Sequence, residues 1–369
     1  MTAVHVAGRG MVTAFGAGRC RTLDAIFRGD SAVRPRVRTA DVEVATSVAA
    51  ELEADAVDGE ATIPLVLRIA RRAAVEALSE GARPDRATVG LVLASTKADL
   101  GGIEGAGDGL GRPSRLARRL ADDLGLGGRV QAVSCACASG LSAIALARLR
   151  LRRGERRVLV VGVDVLSRFV LRGFSSMMAL DPVGCRPFDR ARRGLTLGEG
   201  AGALLLSTVD DESIGVRVAG CGEANEAHHV SGPDPEGRGL ELAGRRALAA
   251  AGVERGDVDA VHAHGTGTPF NDAMEANGLV RLFGGRTPPT FGTKAQTGHA
   301  LGAAGVIESI VAIEALRRAR VPANVGLDDP DVDARLSLVR REEALTRARV
   351  ALKLAGGFGG MQAAVVFAS

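Results

Sequence analysis

Short runs of β-branched and other apolar residues alternate along the chain with longer stretches in which apolar residues recur at helical spacing. The apolar runs predict strands at Val4 to Ala7, Val89 to Ala94, Val158 to Val163, Ala203 to Leu206, Val216 to Ala219, Ala260 to Ala263, Val350 to Leu354 and Ala363 to Phe367. The amphipathic stretches predict helices over Pro64 to Ser79, Arg115 to Asp123, Ser139 to Arg152, Leu240 to Ala251, Asp272 to Phe283 and Ala303 to Arg318. Strands without regular polar alternation are typical of a sheet covered by helices on both faces. The pattern therefore predicts an α/β protein.

A weak internal repeat divides the chain. The segment Val4-His5-Val6-Ala7-Gly8-Arg9-Gly10 shares five of seven residues with Val216-Arg217-Val218-Ala219-Gly220-Cys221-Gly222. Strands and helices follow each copy in a similar order. We therefore predict two related halves, 1–207 and 208–369, with an active site where they meet.

Composition narrows the class of protein. The hydrophobic content of 46% and charged content of 24% are typical of a soluble globular protein, and a formal charge of +4 is too small to indicate nucleic-acid binding. The five cysteines have no paired metal spacing and are odd in number, which favours reduced thiols in the cytoplasm and no metal site. We expect no membrane segment, because no run of about 18 apolar residues is present.

Arginines cluster locally, and two roles fit these clusters. The clusters are Arg68, Arg71 and Arg72; Arg112, Arg115, Arg118 and Arg119; and Arg148, Arg150, Arg152, Arg153, Arg156 and Arg157. Each is compatible with a solvated helix face. The alternative interpretation is that a cluster forms a surface that binds an acidic protein partner.

Cys137 is the first candidate for chemistry. It lies in Ser134-Cys135-Ala136-Cys137-Ala138-Ser139-Gly140, directly before a stretch with helical periodicity. A cysteine at a helix N-terminus is close to the positive end of the helix dipole, which favours the thiolate. A buried structural cysteine is an equally good interpretation of this segment alone.

Two histidines complete a possible constellation. His264 directly follows a predicted strand and opens a Gly-Thr-Gly-Thr loop, where ligands of open α/β sheets bind. His299 lies near Gly298 and Gly302, just before a predicted helix. Either histidine alone fits a hydrogen-bonded core residue. A thiol and two imidazoles, far apart in sequence, together indicate nucleophilic catalysis on a carbonyl.

Several motifs resemble those of the elongating β-ketoacyl-acyl-carrier-protein synthases, and they occur in the family order along essentially the whole chain. They are Cys135-Ala-Cys-Ala-Ser-Gly140, Arg186-Pro-Phe-Asp189, Gly198-Glu-Gly-Ala-Gly202, His228-His-Val-Ser-Gly-Pro-Asp234, His264-Gly-Thr-Gly-Thr-Pro-Phe-Asn-Asp272, Lys294-Ala-Gln-Thr-Gly-His-Ala-Leu-Gly-Ala-Ala-Gly305 and Gly356-Gly-Phe-Gly-Gly360. The resemblance implies a thiolase-like fold with α-β-α-β-α layers. It also implies a dimer, either a homodimer or a heterodimer with a second ketosynthase-like subunit.

The resemblance further implies decarboxylative Claisen condensation. Acyl and malonyl groups would be carried on the phosphopantetheine of an acyl carrier protein, with no cofactor bound by the enzyme itself. Cys137 would accept the acyl group, while His264 and His299 would bind the malonyl thioester. Lys294 and Glu275 would pair and support the site.

The remaining site residues also come from the resemblance. The backbone N–H groups of Cys137 and Phe358 would form an oxyanion hole. Thr266, Thr268 and Ser231 would line the phosphopantetheine tunnel, and Gly356 and Phe358 would border the acyl pocket.

The chain departs from the family at two positions. Cys135 stands where threonine is common, and we interpret it as a packing residue. Gly356 stands where a gating phenylalanine is frequent, which predicts a wider acyl pocket and favours polyketide or polyene pathways over housekeeping fatty-acid synthesis.

The alternatives to a catalytic ketosynthase are a noncatalytic chain-length-factor-like subunit, a coenzyme A-dependent thiolase and a cysteine protease. Chain-length factors normally lack the nucleophile, thiolases pair a second cysteine with a different histidine motif, and a protease leaves the threonine-glycine loops unexplained.

Overall fold

The computed structural model describes residues 2–53, 63–80, 84–100 and 110–369. The strands of the first half are β1 His5–Thr13, β2 Gly16–Ala17, β3 Arg34–Pro35, β4 Val48–Ala49, β5 Gly90–Ala94, β6 Val130–Val133, β7 Arg157–Asp164 and β8 Gly200–Ser207. Its helices are α1 Arg19–Arg28, α2 Leu65–Ser79, α3 Pro113–Leu124, α4 Ser139–Arg152 and α5 Arg168–Ser176, with a short 3₁₀ turn at Arg86–Thr88.

The second half follows the same plan. Its strands are β9 Arg217–Asn225, β10 Ala260–His262, β11 Thr290–Phe291, β12 Arg320–Val321, β13 Glu343–Ala344, β14 Val350–Gly357 and β15 Met361–Ala368. Its helices are α6 Arg238–Ala251, α7 Pro269–Phe283, α8 Lys294–Thr297 and α9 Ala304–Arg318, and 3₁₀ turns occur at Asp210–Glu212, Arg255–Asp257 and Leu301–Ala303.

Each half builds a mixed sheet of five main strands with the same connectivity, and the first sheet also contains β2, which pairs with β1. The order is β6-β5-β7-β8-β1 in the first half and β11-β10-β14-β15-β9 in the second. In both, three strands are parallel and the last two pairings are antiparallel. The sheets join where His5 of β1 pairs with Arg217 of β9, two equivalent positions of the sequence repeat. The chain passes between the sheets after Ser207, where we propose to divide the halves.

Glycines of the repeat explain why these segments are similar. A Cβ atom on Gly8 would lie 2.0 Å from the carbonyl oxygen of Ala77 in α2, and one on Gly220 would lie 2.2 Å from that of Ala247 in α6. Either contact is far inside van der Waals distance. Glycine therefore allows α2 and α6 to pack directly on β1 and β9 in both halves.

The helices and sheets stack in five layers. Helices α4 and α9 share one apolar cluster with strands of both sheets, and α9 is buried on nearly every side. Helices α2 and α3 pack on the outer face of the first sheet, and α6 and α7 on the outer face of the second. The predicted α-β-α-β-α architecture is confirmed. No helix in the described ranges is both long and apolar enough to cross a lipid bilayer.

All the predicted strands and helices are present, and most differ from the prediction by at most three residues at either end, but β1 and β9 each continue six residues beyond the predicted strand. The pattern missed ten of the elements given above: the strands β2, β3, β4, β6, β11, β12 and β13, and the helices α1, α5 and α8. The short strands β6 and β11 are the outermost strands of their sheets. Two to four residues carry too little periodicity to identify a strand.

Candidate active site

A cavity of about 450 Å³ brings the predicted thiol and imidazoles together. Cys137, His264 and His299 all line it. The other predicted residues on its wall are Thr266, Thr268, Ser231, Gly356 and Phe358. Lys294 and Glu275 do not line the cavity, because both are fully buried behind it.

Cys137 is held on a tight turn that leads into α4. Ala136 adopts a left-handed conformation with φ of 47°, which is unfavourable for a residue with a side chain. The Ser139 hydroxyl stabilises the turn, accepting from the Cys135 N–H at 2.8 Å and donating to the Ala136 carbonyl oxygen at 2.5 Å. The strained turn therefore fixes the direction of the Cys137 side chain.

The resting state of Cys137 differs from the sequence prediction. Burial raises the pKa of the Cys137 thiol to about 11, and the nearby ammonium groups of Lys97 and Lys294 only partly oppose this. The helix start is not sufficient to favour a thiolate, so that prediction is wrong for the resting structure. The buried group is a neutral thiol at physiological pH.

A close helix contact brings the thiol and His299 together. A Cβ atom on Gly140 of α4 would lie 2.8 Å from the backbone nitrogen of Val306 and 2.9 Å from the Cα of Gly305 in α9. The N-terminal turns of the two central helices therefore touch through backbone atoms. The Cys137 turn precedes one of these helices and the His299 loop the other, which places both groups at the same cavity.

Glu275 holds the backbone at His264. Its Oε1 accepts from the His264 N–H at 2.5 Å and its Oε2 from the Gly265 N–H at 2.7 Å. Burial raises the pKa of Glu275 to about 7, opposed by these two hydrogen bonds. The predicted pairing of Glu275 with Lys294 is wrong, because both carboxylate oxygens bind backbone N–H groups.

Lys294 pairs instead with Glu308. Its Nζ lies 2.6 Å from Glu308 Oε1, donates to the His264 carbonyl oxygen and lies 3.3 Å from His264 Nδ1. An ammonium group can only donate, so Nδ1 must be the acceptor in that contact. The proton of the neutral His264 ring is therefore assigned to Nε2.

The two cavity histidines are neutral. Their ring centroids are 5.3 Å apart and nearly perpendicular. Burial lowers the pKa of both, with Lys294 contributing; that of His299 falls to about 3, and that of His264 falls well below its usual value. Each ring therefore offers one N–H donor at physiological pH.

The loop after His264 is ordered by Asp272. This buried carboxylate accepts from the Thr266 N–H at 3.1 Å and the Phe188 N–H at 2.7 Å. The hydroxyls of Thr266 and Thr268 are 2.9 Å apart. The loop thus presents a pair of polar groups on the cavity wall.

The turn between β14 and β15 lies against the Cys137 turn. A Cβ atom on Gly357 would be 3.1 Å from the Cys137 backbone nitrogen. Within the described ranges, neither the Cys137 N–H nor the Phe358 N–H donates to a protein acceptor. The Phe358 ring stacks on Phe174 at 5.9 Å between centroids. Two amides without a protein acceptor and an aromatic pair therefore belong to residues that line the cavity.

Sequence reasoning missed four charged residues and one histidine around the site. They are Lys97, Asp164, His262, Glu308 and Lys353. One signal was available: only three of the 47 Lys and Arg residues are lysine, namely Lys97, Lys294 and Lys353. Among the described residues, no group of three His, Cys, Asp or Glu side chains is arranged to hold a metal ion.

Comparison with known proteins identifies the family. Residues 1–212 match the model for the N-terminal domain of β-ketoacyl synthases, and residues 216–328 match the model for the C-terminal domain. The chain therefore belongs to the β-ketoacyl synthase family, and the resemblance in its motifs is confirmed.

Two curated relatives and one solved structure illustrate the similarity. The chain is 38% identical to nodulation protein E of Rhizobium sp. (strain N33) over 69% of this chain and 65% of that protein. It is 35% identical to 3-oxoacyl-[acyl-carrier-protein] synthase 2 of Mycobacterium bovis over 63% of this chain and 59% of that protein. The aligned region thus spans less than two thirds of either relative. The ishigamide ketosynthase/chain length factor superimposes with a TM-score of 0.89 at 26% identity, covering 100% of this chain and 99% of that one.

Proposed function

We propose that this β-ketoacyl synthase is an acyltransferase that joins an acyl group on Cys137 to a malonyl unit by decarboxylative Claisen condensation. One observation carries the proposal: Cys137, His264 and His299 line the same cavity. The similarity to a protein named 3-oxoacyl-[acyl-carrier-protein] synthase 2 supports it.

Acyl transfer is the first half-reaction. The Cys137 sulfur attacks the carbonyl carbon of the incoming thioester, and the bond from that carbon to the carrier's sulfur breaks. The thiol proton moves to the departing sulfur, so one thiol and one thioester are exchanged. The amides of Cys137 and Phe358 can hold the oxygen that becomes negative, while Lys97 and Lys294 stabilise negative charge on the nucleophile.

The second half-reaction begins with the malonyl thioester. Its bond to the carboxylate carbon breaks, CO₂ leaves, and the electron pair forms an enolate whose oxygen accepts hydrogen bonds from His264 Nε2–H and the His299 ring. The enolate carbon then attacks the acyl carbon on Cys137. The carbon–sulfur bond breaks, and the Cys137 sulfur takes a proton from water to become the thiol again.

Both substrates would arrive on the phosphopantetheine of an acyl carrier protein, and the protein would need no cofactor of its own. Thr266, Thr268 and Ser231 lie on the cavity wall where the amides of such an arm can be hydrogen-bonded. We propose that the protein acts in the cytoplasm, where acyl groups are loaded onto acyl carrier proteins.

The direct test combines loading and condensation. Wild-type protein is incubated with a panel of acyl carrier proteins, and intact-protein mass spectrometry measures the acyl mass added. Malonyl carrier protein is then supplied, and the β-ketoacyl product and CO₂ are measured. Loading followed by condensation supports the proposal, while failure of both with every chain tested overturns it.

Arg193 is the arginine best placed to meet the carrier. It is exposed at the cavity mouth, and its guanidinium has no ion pair or hydrogen bond within the described part of the chain. Arg193→Glu is expected to raise KM for acyl carrier protein about tenfold, because a charge at the rim of a contact acts on association with an acidic partner. The wild-type KM should also rise with salt above about 0.1 M.

The matched control is an acyl-pantetheine thioester, which lacks both the phosphate and the carrier. The KM for this small thioester should be the same in the wild type and in Arg193→Glu. Equal loss with both substrates would show that Arg193 acts on the cavity itself and would contradict a role in carrier recognition.

The subunit partner is either a second copy or a second ketosynthase-like chain. The similar ishigamide ketosynthase/chain length factor makes a heterodimer a specific alternative. The second candidate function is a noncatalytic or weakly active subunit of that kind. Retention of Cys137, His264 and His299 in one cavity favours the catalytic role.

For the product we propose type II polyketide or polyene synthesis, with fatty-acid synthesis as the alternative. Gly356 lines the cavity, and a Cβ atom there would lie 3.2 Å from Gln362 Oε1. Even a Cβ atom would press on Gln362, so glycine keeps this part of the cavity wall free of a side chain. The absence of a side chain supports tolerance of bulky or rigid acyl chains.

We expect a polyenoyl carrier protein to be extended faster than a saturated medium-length one. Gly356→Phe should reverse this preference, because the ring would narrow the cavity near Gln362. Competition between the two substrates, with products counted by mass spectrometry, measures the ratio. Preference of the wild type for the saturated chain, unchanged in Gly356→Phe, would contradict the assignment.

A further inference from the structure

A second buried lysine lies behind His264. Lys353 lies on β14 and is fully buried. Its Nζ is 3.0 Å from the carbonyl oxygen of Ala263 and 2.6 Å from the carbonyl oxygen of the adjacent residue, Leu354. It also forms an ion pair with Glu308 Oε2 at 2.7 Å. In the sequence it interrupts an otherwise apolar strand.

Lys353, Glu308 and Lys294 form one cluster. The two oxygens of Glu308 are each paired with a different lysine, at 2.6 Å for Lys294 and 2.7 Å for Lys353. The same two lysines donate to consecutive carbonyl groups, Lys353 to Ala263 and Lys294 to His264. The backbone that carries the His264 ring is therefore held by two ammonium groups that share one carboxylate.

The cluster has an excess positive charge when all three groups are ionised. A buried ion pair already has a desolvation cost, and a second cation increases it, so a hydrophobic residue would serve stability better at position 353. The chain also uses arginine for nearly all its other cations, yet all three of its lysines surround this cavity. A compact ammonium fits where the forked guanidinium does not.

The charge of Lys353 reaches the reacting groups. The titratable groups that face it from the elements packed around it are Glu308, Lys294, Glu275, His262, His264 and His299. Burial lowers the pKa of Lys353 to about 8, with Lys294 contributing and Glu308 opposing. Lys353 in turn helps to lower the pKa of both cavity histidines.

We propose that Lys353 is a positioning residue for the malonyl half-reaction: it anchors the backbone at His264 and supplies a second positive charge behind the imidazoles that bind the enolate. The inference rests on the proposed function. Because the enolate carries the negative charge that forms during decarboxylation, a fixed cation behind its two donors stabilises that transition state. Acyl transfer to Cys137 does not require this charge.

The first test is Lys353→Met, which keeps a similar apolar volume and removes the charge. Decarboxylation of malonyl carrier protein should fall at least about tenfold in kcat, less than the about 10²–10³ expected for loss of a direct donor. Acyl loading of Cys137 should stay near the wild-type rate. An unchanged decarboxylation rate, or an equal loss in both half-reactions, would overturn the inference.

The pH profile separates an electrostatic role from a structural one. Lys353 is charged below its pKa of about 8, so wild-type decarboxylation should decline as pH rises through about 8, where the cation is lost. Lys353→Met should lack that decline. Retention of the same alkaline limb in the variant would show that another group causes it and would contradict the proposal.

Two further variants act as controls. Arg150→Met removes a buried cation with a similar partner set, Glu155 and two backbone carbonyls, away from the cavity; it should leave decarboxylation per folded molecule unchanged. Glu308→Gln combined with Lys353→Met restores the net charge of the cluster and should recover part of the lost rate. That recovery keeps the test valid if Lys353→Met alone folds poorly, and its absence would count against an electrostatic role.

The behaviour of the wild-type protein distinguishes failure of the proposed function from failure of the proposed role of Lys353. If wild-type protein does not decarboxylate malonyl carrier protein, the proposed function fails. If it does and Lys353→Met behaves like it, only the role of Lys353 fails.

Discussion

Replacing Cys137 by alanine is expected to abolish acyl loading. The nearest cysteine in the sequence, Cys135, lies at the start of the same turn and does not line the cavity. Loss of a catalytic nucleophile has lowered turnover by about 10⁶ in a serine protease that also works through a covalent intermediate. Intact-protein mass spectrometry after incubation with an acyl carrier protein measures the effect, and peptide mapping identifies the modified residue.

Cys135→Ala is the matched control, since it removes a thiol two residues away without changing the cavity wall. It should load as the wild type does. If Cys137→Ala still becomes acylated, with the label on Cys135, the assignment of the nucleophile is wrong.

The histidine variants should separate the two half-reactions. His264→Ala and His299→Ala are each expected to slow decarboxylation and condensation by about 10²–10³, because each removes one donor to the enolate oxygen. Acyl loading should be less affected, since the amides of Cys137 and Phe358 serve that step. Parallel measurement of loading, CO₂ release and condensed product provides the comparison.

The pH dependence is a control on the same mechanism. Because burial lowers the pKa of His299 to about 3, its ring stays neutral as pH falls from about 8 to about 5, and burial also lowers the pKa of His264 well below its usual value. The malonyl step should therefore show no acid limb from His299 in that range, and none from His264 near the usual histidine pKa of about 6.5. Wild-type condensation rates in both alanine variants, or a histidine limb near pH 6.5, would contradict the mechanism.

Local signals in the sequence were sufficient for much of the fold. Periodic helices such as α4 and α9 were predicted nearly to their ends, because their periodicity repeats over many residues, whereas the long strands β1 and β9 were predicted only at their starts. The repeat at Val4 and Val216 correctly marked two equivalent strands, since both must accept a closely packed helix. The two-residue strand β11 has no comparable signal.

The site was predicted to the extent that its residues lie in contiguous motifs. Cys137, His264 and His299 are each surrounded by small residues that make tight turns, and these turns could be recognised one by one. Lys353 was overlooked because it is one charged residue in an apolar strand, and nothing nearby in the sequence marks its partner Glu308. The three lysines stand out only when the whole composition is compared with their positions.

The sequence by itself determined the α/β class and the family, and it identified Cys137, His264 and His299, which line one cavity. Only the tertiary structure decided that Lys294 pairs with Glu308 and not with Glu275, that a second lysine shares that carboxylate, and that Cys137 rests as a neutral thiol. The physical reason is the range of the interactions involved. Secondary structure and turns depend on residues close in sequence, whereas ion pairs and desolvation depend on which distant segments pack around a buried group.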